Sequence, residues 1–224
     1  MVTPVLAPHQ RQKLDASDDE IFYRFPRFVT HVDDGFIAKL TQLYRERLTP
    51  GGTILDLMSS WVSHLPPEMS FAEVVGHGLN AEELAHNPQL TRYFTQNLNQ
   101  DQKLPLADNT FDAVLNTVSV QYLQYPEAVF QEIHRILKPG GILIVSFSNR
   151  MFYQKAIQAW RDNTEAGRLQ LVKRYVQAVP GFSPPEVIAH KNLSVNPVLA
   201  LAGVAVGDPF YAVITYKQKE GSGR

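Results

Sequence analysis

Apolar residues recur along this chain in two rhythms, and the switches between them lay out the expected elements. Phe36, Ile37, Leu40, Leu43, Tyr44 and Leu48 fall at three- and four-residue steps, the period of a helix with one buried stripe over 35–48, and Asp33 or Asp34 stands before it as a cap. Pro50-Gly51-Gly52 breaks that helix, and Thr53–Leu57 follows as an apolar run of strand length. Runs at 71–76, 93–98, 111–117 and 142–147 read as further strands; the last, ILIVSF, is apolar throughout, as a strand buried on both faces must be. A short helix is expected over 80–85. A longer one opens at Pro126, with Val129, Phe130, Ile133, Ile136 and Leu137 on its apolar face. It closes at Lys138-Pro139-Gly140-Gly141: a cation at the negative end, a proline that cannot continue, glycines for the turn. Residues 150–179 read as mostly helical. The β-rich segments 185–189 and 210–217 have no helical segment between them, the arrangement of an antiparallel pair. The pattern is an α/β chain: a doubly wound, Rossmann-like, seven-stranded sheet, mostly parallel with an antiparallel last strand.

Residues 1–20 are polar and proline-containing, a loose arm; 1–34 is expected to act as an N-terminal arm or lid, 35–217 as the domain and 218–224 as a tail. The length of 224 residues suits one domain with a sizeable core. A net charge of −1 without a block of like charge gives no footprint for nucleic acid. No apolar run is long enough to span a bilayer, and the N-terminus lacks a charged head followed by an apolar stretch, so a cytoplasmic protein is expected. The absence of cysteine excludes disulfides, thiolate metal sites and a cysteine nucleophile.

The run LPLADNTFDAVLNTVSVQYLQYPEAVFQEIHRILKPGGILIVSFSNRMF, residues 104–152, resembles class I S-adenosylmethionine-dependent methyltransferases, in particular the small-molecule type 11 group. Its LPxxDNTFD entry and its EIxRxLKPGG exit carry the likeness, and FYAVITYK fits the terminal antiparallel strand that this fold implies. The resemblance implies S-adenosylmethionine as cofactor, a small-molecule acceptor and a monomer or homodimer. Two motifs depart from the family. Of Asp-x-Gly-x-Gly-x-Gly only Asp56 remains, with Met58, Ser60 and Val62 at the glycine positions. The acidic residue that binds the ribose hydroxyls at the end of the second strand is replaced by Gly78. Two outcomes stay open: an active enzyme with a rebuilt loop, or an inactive methyltransferase-fold protein serving as a binding or regulatory partner.

The resemblance places Asp56, Leu57, Met58, Ser59 and Ser60 in the cofactor loop, with a helix cap as the other reading of Asp56 and with Met58 and Trp61 starting the next helix. His77, Gly78, Leu79 and Asn80 fall at the ribose, and Asn80 and His77 could serve the missing acid's hydroxyls. Asn99, Gln100 and Asp101 take the adenine position or form a solvated turn. Asn116 and Thr117 stand beside the methionine moiety, and Gln121 and Tyr122 at the acceptor, Tyr122 alternatively packing on the helix from Pro126. On the arm, Tyr23 and Arg27 are candidates for the cofactor carboxylate, Arg27 bidentately, with Phe22 and His31 toward the acceptor. The arm phenylalanines would otherwise seal the sheet edge. His31, Asp33 and Asp34 have no second ligand cluster, so capping is preferred over a metal. A hydroxyl acceptor needs a base, for which His31, His77 and Tyr122 are the candidates. The apolar stretch 194–209 would cap an apolar acceptor or form a dimer contact. A nicotinamide dehydrogenase is a poor fit, since no Gly-x-Gly-x-x-Gly follows any strand.

Overall fold

The computed structural model describes residues 4–191 and 207–219. The stretch 194–209 therefore lies, up to residue 206, outside the described residues. Seven strands, β1 (Thr53–Leu57), β2 (Glu73–Gly78), β3 (Arg92–Thr95), β4 (Phe111–Thr117), β5 (Leu137–Phe147), β6 (Glu186–His190) and β7 (Phe210–Tyr216), form one sheet in the order β3-β2-β1-β4-β5-β7-β6. β1 pairs in parallel with both β2 and β4, and β7 runs antiparallel to β5 and β6. The chain order reverses direction at β1, so a crevice opens at the carboxyl ends of β1, β2 and β4, where such sheets bind ligands.

Alternation along the central strands divides the core. Leu55, Val114, Leu143 and Val145 face one layer, with the helices α4 (Pro126–Ile136), α5 (Gln158–Arg161) and α6 (Glu165–Gln177) packed on them through Phe130, Trp160 and Tyr175. Ile54, Leu115, Ile142 and Ile144 face the other, covered by α2 (Asp34–Arg47) through Phe36, Leu40 and Tyr44. Asp33 caps α2 by accepting the Phe36 amide at 2.8 Å. Asn80 caps the short α3 (Ala81–Ala85) in the same way.

Four differences from the sequence reading have physical causes. No helix follows β1: residues 58–72 are irregular and contain Pro66-Pro67, with Met58 and His64 at φ of 60° and 56°. Side chains take the place of helix bonds there. Gln89 clasps Leu65 through both amide and carbonyl, Asn87 donates to Ser60 O and Ser63 Oγ, and Thr41 Oγ1 donates to His64 O. β2 is shifted two residues later, since Val74 and Val75 pair with Ile54 and Leu55. β5 begins at Leu137, before the glycines, because Phe111 pairs with Leu137 ahead of a bulge. The 150–179 region breaks into α5 and α6 at Asn163, with Thr164 capping α6.

The arm is ordered from residue 4, not loose. Leu6 is in the core, Arg11 is paired with Glu127, and Lys155, fully buried, reaches Asp15, Ser17 O and Asp19. The one-turn α1 (Asp19–Phe22) is capped by Asp18, whose carboxylate also accepts from Asn97 and Gln100.

Candidate functional site

Beneath the arm, at the ends of β1, β2 and β4, lies a cavity of about 440 Å³, within the size range of ligand pockets. Of the residues singled out in the sequence, Tyr23, Arg27, His31, Asp56, Met58, Ser59, Ser60, His77, Gly78, Leu79, Asn80, Asn99, Thr117 and Tyr122 line it. Leu57, Gln100, Asp101, Asn116, Gln121 and Phe22 do not. Leu57 alternates away into the core with Leu55. Asn116 donates to Leu57 O at 3.1 Å, tying β4 to β1, and Gln121 is spent on Val118 O. Gln100 bonds Asp18 of the arm, Asp101 is exposed, and the Phe22 ring packs on Tyr23 and Phe152.

The end of β1 forms the floor. Asp56 is 4% exposed and accepts the Ser59 hydroxyl at 2.5 Å. Burial without a cation nearby pushes its carboxyl up to about 6. Met58 stands at the first glycine position of the lost motif and keeps the left-handed backbone a glycine would take there. Its amide donates to His77 Nδ1 at 3.1 Å, and His77 Nε2 donates to Gln96 O at 3.0 Å. Both ring nitrogens of His77 are thus committed to joining the ends of β1, β2 and β3. Burial drives its pKa down to about 4, so the ring stays neutral, and with Nδ1 accepting and Nε2 donating inside the protein neither nitrogen is left for a ribose or for a substrate proton. Beside it the Ser59 carbonyl lies 2.7 Å from where a Cβ on Gly78 would stand. The irregular loop therefore rests on the end of β2, and an acidic side chain at position 78 has no room.

Asn80 is largely committed inside the protein. Its Oδ1 caps α3, and its Nδ2 donates to Tyr23 O and Arg24 O. Asn99 bonds Asp19, Tyr122 O and the Gln124 amide, so its exposure to the cavity is that of a strut between the arm and the body. Glu83, not among the residues singled out in the sequence, turns inward. Its Oε2 accepts from Ser60 Oγ at 2.6 Å and its Oε1 from the Arg27 amide at 2.7 Å.

The arm forms the roof. The Arg27 guanidinium lies over Phe22, Tyr23 and Phe152, and its Nη2 donates to Phe22 O at 2.8 Å. Its Nη1 is buried and has no hydrogen-bond partner among the described residues. Trp61 turns out to donate to Val29 O at 3.1 Å and meets Phe28 edge-on, while Met58 packs against the core; neither closes the hollow. His31 lies edge-on to Phe152 at 5.2 Å with no hydrogen bond among the described residues, and burial lowers its pKa. Tyr122 accepts the Phe152 amide through its hydroxyl, and burial raises its pKa. Val118, at the cavity edge, holds φ of 51°, a strained conformation for a β-branched residue. Next to it Ser119 Oγ is buried without a partner among the described residues, as are Asn116 Oδ1 and Gln121 Oε1. Tyr44 of α2 reaches the same strand ends, its hydroxyl 2.8 Å from Thr117 Oγ1.

A family described as a methyltransferase domain matches residues 61–145. Over that stretch, less than half of its length, the chain is similar to the methyltransferase domain family. It runs from the loop after β1 to the end of β5 and includes Gly78, Glu83 and the β4 end. The malonyl-[acyl-carrier protein] O-methyltransferase of Marinomonas sp. is 32% identical over 66 residues, which are 29% of this chain and 24% of that protein. The chain spans about half the length or less of the curated relatives it matches. Among solved structures, an S-adenosylmethionine-dependent methyltransferase from Mesorhizobium loti superposes with a TM-score of 0.52 at 19% identity, covering 78% of this chain and 96% of that one. The [4+2]-cyclase SpnF superposes with a TM-score of 0.53 at 19% identity, covering 80% of each chain. The fold is thus that of the class I methyltransferases, and the cyclase shows why chemistry must be argued from the cavity.

Proposed function

We propose that the protein binds S-adenosylmethionine in this cavity and transfers its methyl group to a small-molecule acceptor. One observation carries the reading. The cavity holds two buried carboxylates, Asp56 and Glu83, with no cation paired to either among the described residues, and one buried guanidinium nitrogen, Arg27 Nη1, with no acceptor. Buried charge left in this state is costly, and a ligand that carries an ammonium, a sulfonium, hydroxyl donors and a carboxylate relieves each cost. S-adenosylmethionine has that set of groups.

When bound, the cofactor supplies an electrophilic methyl on a sulfonium. The chain's own part is to hold the partners in line and keep water out. Asp56 offers negative charge to the amino-acid end of the ligand. Arg27 offers its free Nη1 to a carboxylate. The arm, bound through Asn80, Glu83 and Trp61, roofs the reaction. With His77 and Tyr122 engaged in the fold, His31 is the group left to take a proton from a hydroxyl acceptor as the carbon–oxygen bond forms. An amine or thiolate acceptor needs no such base.

Isothermal titration with S-adenosylmethionine and S-adenosylhomocysteine tests the reading. Dissociation constants of about 1 μM to 1 mM, the range of enzyme substrates, are expected. No binding of either at millimolar ligand overturns it. That result would favour an inactive fold acting as a binding partner, the reading supported by how many polar groups at the ribose and adenine positions are spent inside the protein.

A further inference from the structure

The loss of the acid at position 78 leaves the ribose of the proposed cofactor without its usual partner, and the structure offers another. We propose that Glu83 on α3, rather than any residue of β2, is the carboxylate that binds the ribose diol. This rests on the proposed binding of S-adenosylmethionine.

The local role for this residue is a different one. Glu83 sits three positions after the N-cap Asn80, where a glutamate ordinarily reaches back to the N-cap amide and completes a capping box. It does not do so. Its carboxylate turns across the end of β2 to the loop after β1, taking the Ser60 hydroxyl on one oxygen and the Arg27 amide on the other. The residue is 7% exposed, it lines the cavity, and no cation is paired with it among the described residues. A carboxylate offers about four acceptor positions. Two are filled, and two remain for two vicinal hydroxyls.

The space agrees with the chemistry. At Gly78 a side chain would run into the Ser59 carbonyl, so the loop occupies the approach an acid there would use. Glu83 reaches the same loop one residue further on, at Ser60. Of the other candidates for the hydroxyls, His77 has both ring nitrogens committed, and Asn80 has both amide hydrogens committed and one acceptor position left on Oδ1, too few for a diol. Because Oε1 also holds the Arg27 amide, the group that would grip the ribose is the one that fastens the arm.

The test is calorimetric titration of S-adenosylhomocysteine and its 2′,3′-dideoxy analogue into the wild-type protein and into Glu83→Gln. The wild type is expected to prefer the diol at least about tenfold, the worth of a hydrogen bond to a charged group. Glu83→Gln is expected to bind S-adenosylhomocysteine at least about tenfold more weakly than the wild type and to lose the preference. Equal binding of the two ligands by the wild type, a comparison that needs no variant to fold, overturns the assignment. So does a preference retained in Glu83→Gln. If the wild type binds neither ligand at millimolar concentration, the cofactor reading itself has failed and the assignment falls with it.

Discussion

Replacing Asp56 by asparagine should strengthen the fold and weaken ligand binding, and the size of the first effect follows from the structure. The carboxyl is 4% exposed, and burial moves it from an ordinary 3.8 to about 6. At about 1.4 kcal/mol for each tenfold change in the proton equilibrium, the charged form at neutral pH costs the empty protein about 3 kcal/mol. Asparagine keeps an oxygen for the Ser59 hydroxyl and removes the charge. The folded protein holds its proton more tightly than the unfolded chain does. The resulting stability is fully present below pH 3.8 and is lost as pH rises through about 6. Urea denaturation of the two proteins between pH 4 and 8 should therefore give similar stabilities at the acid end. Above pH 6 the variant should lead by up to about 3 kcal/mol, or about 6–12 °C in melting temperature for a chain of this size. In the same variant, S-adenosylmethionine should bind about 10- to 100-fold more weakly, the worth of a hydrogen bond to a charged group. A variant less stable than the wild type at pH 7.5 that binds the ligand equally well would show instead that Asp56 is a structural cap.

Three other perturbations separate the parts of the site. Arg27→Met should weaken S-adenosylhomocysteine about 10- to 100-fold while leaving 5′-methylthioadenosine, which lacks the carboxylate, little changed; equal losses for both in calorimetry would show that Arg27 only supports the roof. Lys155→Met, which leaves Asp19 paired with Lys13 but removes a buried ammonium from Asp15, Ser17 O and Asp19, should cost about 1–3 kcal/mol in urea denaturation and speed tryptic cleavage at the exposed Arg24, whereas unchanged cleavage would mean that the arm is fastened elsewhere. Val118→Gly should cost less than about 1 kcal/mol, because release of the strain at φ 51° offsets lost packing; a loss of 2 kcal/mol or more would show no strain at that turn.

The parts of the fold that local pattern controls were legible in the sequence. β1 and β4 fall on the expected residues because each is an apolar run bounded by turn residues, and Asp33 caps α2 because its neighbours start a periodic stripe. The antiparallel pairing of β6 and β7 is as expected from two β-rich segments with no helical pattern in the sequence between them. The coil after β1 was not legible. Its course is set by Gln89, Asn87 and Thr41, far from it in sequence, and no window of local propensity contains them.

The site divides in the same way. That polar residues gather at the strand ends could be read from the order of elements, and most of those named do line the cavity. Whether each faces a ligand or the protein could not. His77, Asn80 and Asn99 are drawn into internal bonds because the missing helix and the folded arm leave amides and carbonyls that need partners. Glu83 was hidden by its sequence context, since Asn80-x-x-Glu83 looks like a capping box and only the path of the loop shows that the carboxylate points elsewhere.

A crystal structure of the protein with S-adenosylhomocysteine would locate the ligand outright. The ligand is expected in the cavity at the ends of β1, β2 and β4, its amino group toward Asp56, its carboxylate on Arg27 and its ribose hydroxyls within hydrogen-bond reach of Glu83. Crystals soaked at saturating ligand that show the cavity filled by Met58 or Trp61, or the ligand bound elsewhere, would contradict this placement.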